Sequence, residues 1–224
     1  MNIKNQSNST IYGPYQAHLN DILNELMGRL NTASEAYREK TGEALFEHLN
    51  GRVKNEASMI DKCKRRQLPA TPYSALHELT DAIGIRVVTT FRDDIDRVIH
   101  IIESFDDCEI VERKDYIHHV KPNGYRSYHL ILSMETPYED VCGSVPGHYF
   151  VEIQLRTIAM DTWASLEHQV SYKKKYRSQT RRTSQSRIKT LCGRAGILRY
   201  LDADHPQFNQ GKRVKGEQDE NFIG

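Results

Sequence analysis

VEIQLRT, Val151 to Thr157, alternates apolar and polar side chains without a break. Alternation with period two marks a strand with one packed face and one open face. Val151, Ile153 and Leu155 then share the packed face, while Glu152, Gln154 and Arg156 share the other. Such a strand holds a carboxylate still in front of a polar ligand. The strand reads as His148–Thr157. A helix follows from Ile158 to about Tyr172, carrying Met160, Trp163, Ala164 and Glu167, with Trp163 expected to pack it onto the sheet.

The same reading extends upstream. YRSYHLILSM, Tyr125 to Met134, is a strand entered from the turn KPNGY; residues 134–147, with two prolines and two glycines, are a loop. GIRVVTTF, Gly84 to Phe91, is a β-branched strand. DDIDRVIHIIESF is a helix with acids in its first turn and one stripe of Ile95, Val98, Ile99 and Ile102. EIVERKDYI supplies one or two short strands. Leu19, Ile22, Leu23, Leu26 and Leu30 form one face of a helix from Pro14 to about Lys40. A short segment, Leu45 to Val53, leads into a second helix, Asn55 to Arg66. Pro69 and Pro72 break the chain before a helical piece, Ser74 to Leu79. Strands alternating with helices predict an α+β fold: a mixed β-sheet flanked by helices, with N- and C-terminal helical appendages.

Composition narrows the function. The 224 residues are 38% hydrophobic and 27% charged with net charge +1, which argues against a generic nucleic-acid binder. No apolar run is long enough to cross a bilayer, so no membrane partner is expected. The N-terminus, MNIKNQSNST, lacks a basic-then-apolar signal pattern, and a cytoplasmic protein is expected. Cys63, Cys108, Cys142 and Cys192 are scattered and read as reduced structural thiols.

Asp81 and Glu152 are candidate metal carboxylates. Mg²⁺ sites take one or two carboxylates and leave the remaining positions to water and substrate phosphates. Taken singly, Asp81 also fits a helix cap and Glu152 a surface ion pair. Arg52, Lys54, Lys62, Lys64, Arg65 and Arg66 form a basic cluster in which Lys62 and Arg65 are spaced to share a helix face. Lys and Arg facing one pocket suit a di- or triphosphate, and a solvated face is the plain alternative. After Gly124, Tyr125, Ser127 and His129 share one face of the following strand, with Lys121 nearby. That arrangement suits base stacking and phosphate or ribose contact, and equally suits core packing.

GRVK, DAIGIRVV, RKDYI, KPNGYRSYH, VEIQLRT and AMDTWASLEHQVSYK occur here in one order. Together, from Gly51 to Lys175, they resemble the synthetase domain of RelA/SpoT homologues and, more narrowly, the small alarmone synthetases. The resemblance implies a nucleotidyltransferase-like synthetase fold over 51–176. Around it lie a disordered N-terminus (1–13), an N-terminal helical segment (14–50), a basic C-terminal helical segment (177–205) and a flexible tail (206–224). It implies transfer of pyrophosphate from ATP to the 3′-hydroxyl of GDP or GTP, giving (p)ppGpp and AMP with Mg²⁺ as cofactor. By resemblance, Arg52 and Arg86 sandwich adenine, while Lys54, Lys62 and Arg65 hold the ATP phosphates. Asp81 and Glu152 bind Mg²⁺, and Glu152 also takes the proton of the attacking hydroxyl. Tyr125 stacks on guanine, Lys114, Lys121 and His129 address the acceptor phosphates, and Gln154 lies near the ribose.

Departures qualify the implication. Lys114 stands where many small synthetases carry Arg, and Asp161 where one subgroup carries Asn. Some relatives are tetramers activated by pppGpp; here a homo-oligomer and that activation stay open. No His-Asp hydrolase motif precedes the region, so synthesis without degradation is expected. A second reading keeps the ATP site and changes the acceptor, to the tRNA 3′ end or an adenosine nucleotide. Ser171 to Thr190 holds eight Lys/Arg and no acid, and its stretch Tyr172 to Lys189 is a candidate tRNA or RNA surface, with a solvated or oligomer-facing helix as the plain alternative. A third reading, an RNA-binding module without catalysis, leaves the two carboxylates near phosphate unexplained.

Overall fold

The alternating stretch becomes the middle strand of a five-stranded sheet. The computed structural model describes residues 10–176, with side chains through residue 169. The predicted basic segment 177–205 and the tail lie outside the described residues, as does most of the basic run. Strands β1 (His48–Val53), β2 (Ile83–Thr89), β3 (Cys108–Asp115), β4 (Tyr128–Thr136) and β5 (Gly147–Thr157) lie in the order β1-β2-β5-β4-β3. Only β2 and β5 are parallel; the other three pairings are antiparallel. The mixed sheet with helices expected from sequence is the fold observed.

The two faces of the sheet differ as VEIQLRT requires. Val151, Ile153 and Leu155 are fully buried, in line with Ile83, Ile85 and Val87 of β2. Helix α1 (Gln16–Thr41) and helix α3 (Arg92–Glu103) cover this face, α1 against β1 and β2, α3 against β2, β3 and β5. Leu19, Ile22, Leu26 and Leu30 of α1 and Ile95, Val98 and Ile102 of α3 are the buried stripes predicted by the 3.6-residue period. Gly51 lets α1 approach closely: a Cβ there would collide with Met27 Sδ and lie 2.7 Å from Leu23 Cδ1. The opposite face, with Arg86, Glu152 and Gln154, is left for a ligand.

Four local features differ from the sequence reading. HLNGRV is an edge strand, β1, where a connecting segment was expected, so the sheet begins before residue 51. Ile11 and Tyr12 are buried rather than disordered; Tyr12 donates its hydroxyl to Lys54 O at 2.7 Å, and Glu56 Oε1 accepts the Ile11 amide at 2.8 Å. β4 starts at Tyr128, not Tyr125, and runs to Thr136. Trp163 packs beneath the KPNGY turn, where Gly124 has φ +84° and an added Cβ would lie 3.0 Å from the indole. Helix α2 (Glu56–Arg66) starts as predicted, with Asn55 Oδ1 accepting the Ser58 amide. Helix α4 (Ile158–Tyr176) follows β5 directly. No helix among the described residues is long and apolar enough to cross a membrane.

Candidate active site

Sheet register sets the site. One transverse row on the open face reads Asn50, Arg86, Gln154, His129, Lys114 across all five strands. The next row reads Arg52, Gly84, Glu152, Ile131, Glu112. Arg52 and Arg86 thus lie on adjacent strands, diagonal to each other, with Gly84 between Arg52 and Glu152. Gly84 adds no side chain, so the floor there stays open. A cleft of about 330 Å³, within the range of small-molecule sites, is lined here by Asn50, Arg52, Lys54, Asp81, Arg86, Glu152 and Gln154. Three cations against two carboxylates favour a polyanion.

Asp81 lies just before β2 and is held by two lysines. The Lys54 amide bonds Ala82 O at 2.8 Å, which continues the β1–β2 ladder and sets the Lys54 side chain beside Asp81. Lys54 Nζ and Lys62 Nζ both reach Asp81 Oδ2, the latter at 2.7 Å from α2. Burial would raise the Asp81 carboxyl, but the two ammonium groups outweigh it and hold it below the ordinary carboxylate range. Its other oxygen, Oδ1, is buried with no hydrogen-bond partner among the described residues. An orphaned carboxylate oxygen on a residue that lines the cleft fits a hard cation. Among the described residues no group of three or more His, Cys, Asp or Glu is placed for a metal, so any ion here takes its other ligands from water and substrate.

Glu152 belongs to a closed ring of hydrogen bonds. Its Oε1 accepts from His129 Nδ1 at 3.0 Å and its Oε2 accepts from Gln154 Nε2 at 3.1 Å. Arg156 NH2 donates to Gln154 Oε1 at 2.9 Å and to the Tyr125 hydroxyl at 2.7 Å. Tyr125 closes the ring on His129 Nε2 at 2.9 Å. The carboxylate can only accept, so Nδ1 donates, and the Tyr125 hydroxyl accepts from Arg156. Burial would raise the Glu152 carboxyl; the bond and electrostatic pull of His129, the Gln154 amide and Lys62 outweigh it and hold the group at about 2, against an ordinary 4.5. A folded value below the unfolded one stabilises the protein above the ordinary pKa and loses that stabilisation as pH falls through the folded pKa. The stability advantage of wild type over Glu152→Gln is therefore expected to be full above pH 4.5 and to vanish as pH falls towards about 2, read from urea midpoints.

The remaining expected residues fall around this ring. Lys121 Nζ lies 3.9 Å from the Tyr116 ring centroid and 4.9 Å from that of Tyr125. Lys114 pairs with Glu112 at 2.7 Å and stands opposite His129. Both ring nitrogens of His129 are engaged, by Glu152 and Tyr125. Arg65 is exposed on α2 and does not line the cleft. Three residues were missed. Tyr116 meets His129 edge-on at 5.2 Å. Arg156 and Asp161 link the two halves of the site, with Arg156 NH1 on Asp161 Oδ1 at 3.0 Å and Arg86 NH1 on the same oxygen at 3.4 Å. The spacing of VEIQLRT puts Arg156 on the polar face, but nothing in the sequence announces that it is buried.

The arrangement matches known proteins. Residues 51–177 match the model of the region found in RelA / SpoT proteins. The chain is 38% identical over 151 residues to GTP pyrophosphokinase YwaC of Bacillus subtilis (strain 168), covering 67% of this chain and 70% of that one. The structure of small alarmone synthetase 1 from Bacillus subtilis bound to its product pppGpp superposes with a TM-score of 0.68 at 30% identity, covering 86% of this chain and 95% of that one. The same enzyme bound to AMPCPP gives a TM-score of 0.66 at 25% identity, covering 88% and 97%. With the family model spanning more than half its length, the chain belongs to the RelA/SpoT family and, within it, to the small alarmone synthetases.

Proposed function

We propose that this protein is an ATP:GTP/GDP 3′-pyrophosphotransferase that makes (p)ppGpp. The observation that carries the reading is the pairing of Asp81 and Glu152 in one cationic cleft, with Glu152 tied through His129 to Tyr125. A donor polyphosphate and an acceptor nucleoside then meet at one carboxylate. The names and bound nucleotides of the relatives support the same reaction class.

In the reaction the acceptor 3′-oxygen bonds to the β-phosphorus of ATP, the bond from that phosphorus to the α-phosphate oxygen breaks, and AMP leaves. Arg52 and Arg86 flank the adenine, each face contributing on the order of 1 kcal/mol. Lys54 and Lys62 move from Asp81 Oδ2 to the incoming phosphates, exchanging one anion for another. Asp81 and Glu152 would hold Mg²⁺, which supplies charge neutralisation on the polyphosphate. Tyr125 stacks on guanine, Gln154 faces the ribose, and Lys114 and Lys121 meet the acceptor phosphates. His129 orients Glu152 and Tyr125 and leaves the phosphates to the lysines.

Glu152 takes the hydroxyl proton. A carboxylate held below its ordinary range is a weak base, and the hydroxyl becomes far more acidic as its oxygen bonds to phosphorus, so the proton passes late. A loose phosphoryl-transfer transition state asks for little more than such positioning. The test is transfer of label from β- and γ-labelled ATP with Mg²⁺ to GDP, GTP, ATP or tRNA offered singly. Labelled guanosine product is expected. Label only on tRNA or an adenosine nucleotide would replace the acceptor assignment, and no transfer to any acceptor would overturn the enzymatic reading.

A further inference from the structure

Arg156 is the most buried cation in the site, 5% exposed, yet it faces neither nucleotide position directly. Its guanidinium spends its donors on four partners: Tyr125 Oη at 2.7 Å, Gln154 Oε1 at 2.9 Å, Asp161 Oδ1 at 3.0 Å and Ser127 Oγ at 3.4 Å. Asp161 in turn holds Arg86 at 3.4 Å. The Arg86 Nε is buried with no hydrogen-bond partner among the described residues, which leaves the ion pair with Asp161 to hold that guanidinium.

We infer that Arg156 and Asp161 are positioning residues that couple the donor-base site to the acceptor-base site, through the chain Arg86–Asp161–Arg156–Tyr125. The inference rests on the donor and acceptor assignment above. The physical basis is a shared rigid fork. Arg86 can settle over a purine only where Asp161 lets it, Asp161 is held by Arg156, and Arg156 also holds the Tyr125 hydroxyl. Ordering one end leaves less disorder to remove at the other, so the second nucleotide binds more tightly once the first is seated. The network lies on β2, β5, α4 and the turn before β4, with β2 and β5 paired side by side in the sheet.

The test measures coupling rather than turnover. Affinity for the acceptor nucleotide is taken by calorimetry with and without α,β-methylene ATP, whose bond at the cleavage position does not break. The acceptor is whichever nucleotide takes label from the wild-type protein, so an error in the guanosine assignment is read separately from an error in the link. Wild type is expected to bind the acceptor at least about fivefold more tightly with the analogue present. Asp161→Asn is expected to bring that ratio within about twofold of unity, the scatter of independent sites. Arg156→Lys and Tyr125→Phe, which cut the chain elsewhere, carry the same expectation, with thermal melting reporting on the fold. Trp163, the only tryptophan, packs on Gly124 next to Tyr125 and gives a second readout. Its emission should respond to the analogue alone in wild type and lose that response in Asp161→Asn, while the analogue still binds. A wild-type ratio of one, or wild-type coupling in the folded variants, overturns the inference.

Discussion

Glu152→Gln is expected to lower kcat by about a thousandfold or more, within the range for loss of a positioned acid or base, while the Kd for α,β-methylene ATP changes by less than about threefold. The substitution keeps size and shape, so the effect does not come from repacking. Two functions go at once. The amide cannot take the hydroxyl proton, and it removes one of the two carboxylates in the cleft. The donor contacts stay, because Arg52, Arg86, Lys54 and Lys62 do not lean on Glu152 for position.

The ring of hydrogen bonds makes the variant informative in another way. Glu152 accepts twice, from His129 and from Gln154. A glutamine there accepts once and donates once, so Gln154 must turn, and its amide then faces Arg156 donor to donor. A modest loss of acceptor affinity should accompany the loss of turnover. Rapid-quench measurement of AMP release with saturating ATP and acceptor reads the first quantity, and calorimetry reads the second. Turnover above about a tenth of wild type, less than the smallest loss expected for a positioned base, would remove Glu152 from the chemistry.

What the sequence disclosed follows from the range of the interactions involved. Strand β5 was legible because alternation is local: Val151, Ile153 and Leu155 are buried and Glu152 and Gln154 are not. The α1 and α3 stripes were legible for the same reason. Strand β1 was not. HLNGRV has only Leu49 and Val53 as apolar residues and carries Asn-Gly, a turn signal, because its glycine meets α1 and its polar residues face the cleft. Ile11 and Tyr12 were lost in a polar run with no period to mark them. In the site, Asp81, Glu152, Arg52, Arg86 and Lys54 came together as the motif order implied. The engagement of His129 depends on Glu152, 23 residues away on the next strand, and the burial of Arg156 on Tyr125 and Ser127, some thirty residues away, and on Asp161 across the strand end. Strand entry at Tyr128 rather than Tyr125 has a similar origin. Ser127 is buried with its hydroxyl on Leu155 O at 3.2 Å, so the segment is pinned by a side chain before regular pairing begins.

The largest stability effect is expected at Gly147, the first residue of β5. A Cβ there would strike the carbonyl oxygen of Tyr138 and lie 2.6 Å from the amide nitrogen of Asp140. Those obstacles are backbone, and they are tied in place. Asp140 Oδ1 accepts the amides of Cys142 at 2.8 Å and Ser144 at 3.1 Å, and Oδ2 accepts that of His148 at 3.0 Å. The Tyr149 hydroxyl donates to Glu139 O, and Thr136 Oγ1 donates to Gly147 O. Moving the 138–140 backbone therefore breaks several bonds together, and keeping it displaces the start of the strand that carries Glu152. Gly147→Ala is expected to cost about 3 kcal/mol, the upper end for overpacking. For a chain of this size that is a fall in Tm of roughly 6–12 °C. Gly28, exposed in the middle of α1 with nothing within 4 Å of its added Cβ, is the contrasting site. There the same substitution removes a helix-interior glycine and should stabilise by about 1 kcal/mol. Thermal melts of the two variants should move in opposite directions. A Gly147→Ala protein melting within a degree of wild type would mean that the 138–147 loop yields freely and does not fix where β5 begins.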